Sequence, residues 1–387
     1  MKATRGLKHG PISNRAIVLV CDFPIGLCSR IVHGYKFFRV PPRLILITRA
    51  NFPARSSTPV VSIEKMPFPI STLRGQASSR IKAAWFAALY LLYAPITYLR
   101  IRDEKRRITL VHAHSVLSQG LFGLILARLL GKPLVVTAIG TDVNWIMRQN
   151  RLFKAVSIFV MKRACTTVVI SKPLRAHLLN LGVSNLRYIP SSVDTKSIPS
   201  VSKSRDDRCI LFASTMDDNK RPLFLLHAFE RVLDQVRSAK LFMCGNGPLR
   251  ASVEQEVKKR NLADSVTVMP SLKPATLDEL RSRIGIFVLP SLDEGLSLSL
   301  LEALAARQLV IATRNESNSS FLKHEDTALL FNSGSVVQLS EMLVRALTDE
   351  QLRDTVSKRG QELVKRHFSI EDTSRRLEDL YAHLTTT

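Results

Sequence analysis

LPSLDEGLSLSLLEALAARQLVIAT, residues Leu289–Thr313, is the stretch on which the fold turns. An apolar run ending at Leu289 meets the Pro290–Ser291 turn and then the acidic Glu294–Gly295 corner. A helix rich in Leu and Ala follows, and a second apolar run closes at Thr313. Strand, turn, helix and strand in so short a span are the repeating unit of an α/β sheet. The spacing sets Glu294 at the mouth of the helix and Glu302 two turns inside it. The first amides of a helix form the positive end of its dipole and suit a diphosphate, while two carboxylates suit hydroxyl groups. The local layout therefore predicts a sugar nucleotide as ligand.

The same grammar extends in both directions. Apolar runs occur at Ala16–Cys21, Leu44–Thr48, Thr109–His112, Leu134–Ala138 and Thr166–Ile170, then at Cys209–Ala213, Lys240–Cys244, Ser265–Met269, Ile284–Pro290 and Leu309–Thr313. They are continuous rather than alternating, as expected of parallel strands covered on both faces. Two such sets predict two doubly wound, Rossmann-like α/β domains facing each other, with the ligand in the cleft between them. The Ser- and Pro-rich stretch Tyr188–Asp206 marks the break.

A length of 387 residues, 45% hydrophobic and 23% charged, suits a globular protein of more than one domain. Five scattered cysteines show no metal-type spacing, and Cys21, Cys209 and Cys244 lie in apolar runs as buried thiols do. The N-terminus is basic without the apolar core of a secretion signal, so a cytoplasmic location is expected. The net charge is +24, and the basic residues gather around Arg74–Arg107. There the apolar stretch Ala83–Leu99, interrupted by Pro95, is flanked by Arg80 and Lys82 on one side and by Arg100, Arg102, Lys105, Arg106 and Arg107 on the other. It falls short of the ~20 residues a spanning helix needs. Two readings remain open: a core helix with a solvated basic end, or an interfacial helix placing Trp85, Phe86, Tyr90 and Tyr93 at an anionic membrane surface. The charge alone would also admit nucleic acid. No binding motif accompanies it, and no nucleic-acid partner is expected.

Several residues carry candidate chemistry. Gly245 and Gly247, after the Lys240–Cys244 run, allow close backbone approach to a ligand or serve a tight turn. Lys220 lies in STMDDNKRP, Ser214–Pro222. Asp142 follows Gly140 at the end of a strand and could orient a hydroxyl or cap a helix. His112 and His114 are taken to point opposite ways at a strand end, with His114 the one facing the ligand. There is no Asp-x-Asp sequence for a metal–diphosphate complex, so neither a metal nor another cofactor is expected.

Read together, these motifs resemble the retaining glycosyltransferase family 4, the group 1 glycosyl transferases, built on the two-domain GT-B fold. The resemblance rests on CGNGP at Cys244–Pro248, FVLPS at Phe287–Ser291 and EGLSLSLLEALA at Glu294–Ala305. VHAHS at Val111–Ser115, VVTAIGTDV at Val135–Val143, ISKPLRAHLLNLGV at Ile170–Val183 and IPSSVD at Ile189–Asp194 add to it more loosely. It implies an acceptor-binding domain over 1–195, a nucleotide-sugar-binding domain over 196–366 and, in HFSIEDTSRRLEDLYAHL, a 367–387 helix packing back across the domains. It also implies that Glu294 binds the donor sugar and stabilises positive charge at the anomeric carbon; Asp142 and His114, from their places at strand ends, are further catalytic candidates. Glu302 would hold the ribose hydroxyls. Lys220 would neutralise the leaving diphosphate, and Gly295, Leu296, Ser297 and Leu298 would meet sugar or phosphates with their amides. The sequence departs from the family at Ile139, Thr215, Ser191, Ser192, Arg307, Leu309 and across Arg314–Ser320, RNESNSS.

The expected activity is transfer of a hexosyl group from a nucleotide sugar to a lipid-linked saccharide or polysaccharide precursor. Retention is implied, with the protein peripheral on the inner face of a membrane and assigned to cell-envelope polysaccharide biosynthesis. A non-catalytic homologue binding carbohydrate or a partner enzyme is the alternative. An epimerase or phosphorylase on the same fold is a further one.

Overall fold

Residues 16–21, 31, 33–39, 42–48, 60–65, 92–140, 142–143, 151–199, 201–202 and 205–386 are described by a computed structural model. The continuous apolar runs form parallel strands in two separate sheets. The first contains β1 (Ala16–Val20), β2 (Arg43–Thr48), β3 (Val60–Lys65), β4 (Ile108–His114), β5 (Leu134–Ala138), β6 (Thr166–Val169) and β7 (Leu186–Tyr188). Its order is β3-β2-β1-β4-β5-β6-β7, and every pairing is parallel. The second contains β8 (Asp206–Ala213), β9 (Lys240–Cys244), β10 (Val266–Met269), β11 (Ile284–Leu289), β12 (Leu309–Thr313) and β13 (Leu329–Phe331), ordered β10-β9-β8-β11-β12-β13. Both sheets are doubly wound, reversing direction between β1 and β4 and between β8 and β11. Ligands of such sheets bind beyond the strands' carboxyl ends at that reversal. β3, β7 and β13 are additional to the expected strands. β7 and β13 are three residues each, too short for any hydrophobic period to register.

The chain divides into two compact units: Met1–Ile189 with Glu371–Thr387, and Pro190–Ile370. In the second unit, the Pro222–Leu233 helix opens on proline at its first turn, where the missing N–H is harmless. Its Leu225, Leu226, Phe229 and Val232 follow the helical period and are completely buried beneath β8 and β9 residues such as Phe212 and Met243. Each such side chain contributes roughly 1.5–3 kcal/mol of hydrophobic stabilisation.

In the first unit the last helix, Ile370–Thr386, is part of the core rather than a separate body. Leu380 and Tyr381 pack with Leu19, Tyr35, Leu46 and Leu110. Tyr381 Oη lies 2.8 Å from Tyr35 Oη and 2.5 Å from His112 Nδ1, while His112 Nε2 lies 2.7 Å from Thr137 Oγ1. Burial holds His112 neutral and pushes both tyrosine hydroxyls above their ordinary range. His112 is thus fully used in tying the tail helix to β4 and β5.

Two expectations are corrected. His112 and His114 point the same way, with ring centroids 4.2 Å apart, because residues i and i+2 of a strand share a face. Tyr93 is buried and stacks on Phe122, so it cannot settle at a membrane surface. Trp85, Phe86 and Tyr90, with most of Ala83–Leu99, lie outside the described residues, as does Cys28. Cys21, Cys209 and Cys244 are buried, and none of the three forms a disulfide.

Candidate active site

At the reversal point of the second sheet, the segments leaving β8 and β11 are tied together by one amide. Asn219 Nδ2 donates to the Asp293 carbonyl at 2.8 Å, and its Oδ1 accepts the Asp293 N–H at 3.0 Å. The Asn219 carbonyl also accepts the Leu292 N–H. Asp217 shapes the same segment, with Oδ1 accepting the Lys220 N–H at 2.9 Å and Oδ2 accepting the Thr215 hydroxyl at 2.8 Å. The result is that Lys220 Nζ forms an ion pair with Glu294 Oε1, although the two are 74 positions apart. Their side chains retain only 16% and 9% of their exposure, so neither charge is well solvated except by the other.

Glu294 leads into the Leu298–Ala305 helix. Ser297 occupies its N-cap but makes no capping side-chain hydrogen bond, and its hydroxyl lies 3.1 Å from Ser299 Oγ instead. A helix start without a side-chain cap leaves backbone donors for another acceptor. Leu296 and Ser297 are buried, and Gly295 and Leu298 half-buried. Two turns on, buried Glu302 accepts from Arg281 Nη2 through Oε2. Arg281 is also buried, and its Nη1 donates to Asp278 at 2.6 Å.

The two glycines have a packing role. A Cβ on Gly245 would lie 1.9 Å from the Ser214 carbonyl oxygen, and one on Gly247 would lie 2.3 Å from that of Met216. Hydrogen bonds from Ser214 N–H to the Cys244 carbonyl and from Met216 N–H to the Asn246 carbonyl lock these segments together. Close approach of backbone to backbone accounts for both residues.

In the first unit, Asp142 is buried at the ends of β4 and β5. Its Oδ2 accepts the Val116 N–H at 3.0 Å and its Oδ1 the Ile139 N–H at 3.1 Å. Desolvation pushes its carboxyl up to about 6, against the opposing pull of those amides. The carboxylate thus pins two strand-end loops. His114, also buried, is brought down to about 3 by desolvation and stays neutral across the physiological range. A neutral imidazole of so low basicity suits hydrogen bonding rather than proton abstraction.

The departures from the family pattern have local solutions. Arg307 adopts a left-handed φ of 57°, a conformation costing a non-glycine residue roughly 1–2 kcal/mol. Its carbonyl accepts from Arg205 Nη1 at 2.8 Å and its own guanidinium pairs with Asp354 at 2.5 Å. Within RNESNSS, Asn315 caps a short helix by accepting the Asn318 N–H at 2.8 Å. No sequence pattern singles out Asn219, Asp217 or Arg281. Asn219 adjoins Lys220 in sequence, whereas Arg281 sits in an ordinary polar helix and nothing local links it to Glu302.

Residues 193–363 match the family described as Glycosyl transferases group 1, and residues 58–197 match Glycosyltransferase Family 4. Among curated proteins, N-acetyl-alpha-D-glucosaminyl L-malate synthase of Bacillus anthracis is 22% identical, over 72% of this chain and 75% of that one. The UDP-Gal:alpha-D-GlcNAc-diphosphoundecaprenol alpha-1,3-galactosyltransferase of Escherichia coli is 27% identical, over 72% and 76%. Among solved structures, HepE of Anabaena in complex with UDP and glucose superposes with a TM-score of 0.75 at 13% identity, covering 96% of this chain and all of that one. Sucrose-phosphate synthase of Thermosynechococcus elongatus gives 0.76 at 19%, covering 96% and 99%. Both likenesses establish the fold, two doubly wound α/β domains of the GT-B type.

Proposed function

This chain belongs to the group 1, family 4 glycosyltransferases, and from that premise we propose that it moves a hexosyl group from a nucleoside-diphosphate sugar to a lipid-linked saccharide or polysaccharide precursor. The transfer retains configuration at the anomeric carbon and takes place at the cytoplasmic face of an anionic membrane. No metal or other cofactor is required in this reading.

The observation that carries it is the Lys220–Glu294 pair beside the helix start at Ser297. A sugar nucleotide would take over both charges. Its diphosphate would replace Glu294 as the anion for Lys220, with amides of Leu296–Leu298 as further donors. The freed Glu294 carboxylate would accept from sugar hydroxyls and face the positive charge that develops as the glycosidic bond to phosphate breaks. Such electrostatic groups act mainly on the transition state, where the charge is largest. Glu302, held by Arg281, would present its carboxylate to the ribose hydroxyls. Asp142 and His114 would serve the acceptor end, Asp142 by fixing the loop ends and His114 as a neutral hydrogen-bonding partner.

Uridine diphosphate is the nucleotide to test first. The E. coli relative is named for UDP-Gal, and HepE was solved with UDP. Its lipid diphosphate acceptor is the reason for placing the acceptor here among lipid-linked saccharides. Calorimetric titration of UDP, GDP, ADP and their common sugar conjugates tests the reading, with Glu302→Gln beside the natural protein. One nucleotide should bind, and the substitution should weaken it at least tenfold, worth about 1.4 kcal/mol. No binding by any of them to folded protein would favour the non-catalytic, carbohydrate-binding alternative.

A further inference from the structure

The helix over residues 92–101 is apolar on both of its faces. Its inward face is formed by Tyr93, Ala94, Thr97 and Ile101, all buried, with Tyr93 stacked on Phe122 and its hydroxyl accepting from Arg100 at 3.1 Å. Its outward face carries Leu92, Ile96 and Leu99, exposed to 70%, 45% and 57%, with exposed Pro95 among them. Positions 92, 96 and 99 lie on one stripe of an α-helix, so the aliphatic surface is continuous along it. An ordinary surface helix carries polar side chains on its outer face, and an apolar stripe at the surface marks a place where something docks.

The surrounding charge identifies the kind of partner. Immediately after the helix, Arg102, Lys105, Arg106 and Arg107 are all exposed. The acids in that turn, Asp103 and Glu104, lie 3.9 Å from Arg102 and 3.2 Å from Arg107, so the four cations outnumber them and the turn keeps a net positive charge. The neighbouring layer continues the pattern. Helix Ser118–Leu130, which supplies Phe122, packs against helix Arg151–Arg163, and neither contains an acidic residue. The latter exposes Leu152 and Phe159 to 63% and 44%, and Arg163 lies over the Phe159 ring at 5.3 Å. Aliphatic side chains that enter an acyl boundary, ringed by cations that meet phosphate headgroups, are the composition of an interfacial helix. Among the described residues no helix is long and apolar enough to cross a membrane.

We infer that the outward face of residues 92–101, with the basic turn Arg102–Arg107, is the surface by which this protein docks on an anionic phospholipid bilayer. The inference rests on the proposed membrane-side acceptor but locates the contact on side chains other than those first expected there. Leu92, Ile96 and Leu99 insert, while Tyr93 stays in the protein.

Flotation with phosphatidylcholine vesicles, with and without phosphatidylglycerol, tests it on the full chain. The natural protein should partition onto the anionic vesicles at least tenfold more strongly than onto the neutral ones. The triple substitution Leu92→Ser, Ile96→Ser, Leu99→Ser should cut that partition at least tenfold, as should Lys105→Glu with Arg106→Glu. All five side chains are exposed, so thermal melting should stay within a few degrees of the natural protein. Unchanged partition in either variant overturns the inference. So does a natural dimer that the triple substitution dissociates, because the face would then belong to a second copy. Nucleotide titrations on the same samples keep the outcomes separate. Loss of vesicle binding with intact donor binding touches only this surface, whereas absence of donor binding in the natural protein touches the enzymatic reading.

Discussion

Replacing Glu302 with alanine is the obvious test of a ribose contact, yet the structure predicts that its first effect is on folding. Glu302 accepts from Arg281, whose side chain keeps 1% of its exposure. Removing one partner of a buried pair typically costs 3–5 kcal/mol, because the remaining charge stays desolvated. Asp278, 2.6 Å from the other guanidinium nitrogen, remains to share the charge. The lower end, about 3 kcal/mol, is therefore expected. For a unit the size of Pro190–Ile370 this corresponds to a fall in Tm of roughly 6–12 °C. Scanning calorimetry reads it directly. The double substitution Arg281→Met, Glu302→Leu should recover most of the loss, since apolar side chains of similar volume need no partner. The cycle should then give a coupling of at least about 2 kcal/mol. A Glu302→Ala protein melting with the natural one, or a double variant whose loss equals the sum of the singles, would refute the buried pair. Glu302→Gln keeps an acceptor oxygen for Arg281 and is the variant that reports on ligand rather than fold.

Three further outcomes are expected. Lys220→Ala should lower kcat/KM for the donor identified by titration about 10²-fold, because the departing diphosphate loses its cation; steady-state rates at several donor concentrations check this, and an unchanged rate removes Lys220 from the mechanism. Gly245→Ala should destabilise the second unit by about 3 kcal/mol, since its Cβ would meet a backbone carbonyl at 1.9 Å; denaturant unfolding measures it, and a neutral effect would contradict the packing of Ser214 on Cys244–Gly247. Asp142 has a folded-state carboxyl raised to about 6, above the ordinary ~3.9 of the unfolded chain. The folded state thus binds its proton more tightly, so this contribution to stability is full below about pH 4 and is lost as pH rises to about 6. It amounts to roughly 2–3 kcal/mol. Unfolding curves across that window should show the decline, and Asp142→Asn should flatten it.

The fold was legible in the sequence because a parallel strand covered on both faces announces itself by a continuous apolar run, a local signal. Leu134–Ala138, Ile284–Leu289 and Leu309–Thr313 each carry it complete. Glu294, Lys220 and the glycines of CGNGP could be named from the family's motifs, since these lie in the turns that follow strands. What no local pattern holds is which charge faces which. Arg281 and Glu302 are 21 positions apart and Lys220 and Glu294 are 74 apart, and each pairing exists because the sheet brings the segments together and excludes the water that would otherwise solvate them. The same applies to the helix of residues 92–101. Its sequence is apolar nearly all round, so only the position of Phe122 decides that Tyr93 turns inward and Leu92, Ile96 and Leu99 face solvent. Tyr381 likewise joins the first unit through a hydrogen bond to His112 formed 269 residues earlier in the chain. Apolar periodicity, a property of neighbours, settled the architecture. The partners of buried charges and the outward face of an apolar helix depend on contacts between distant segments, and those were decided by the tertiary structure.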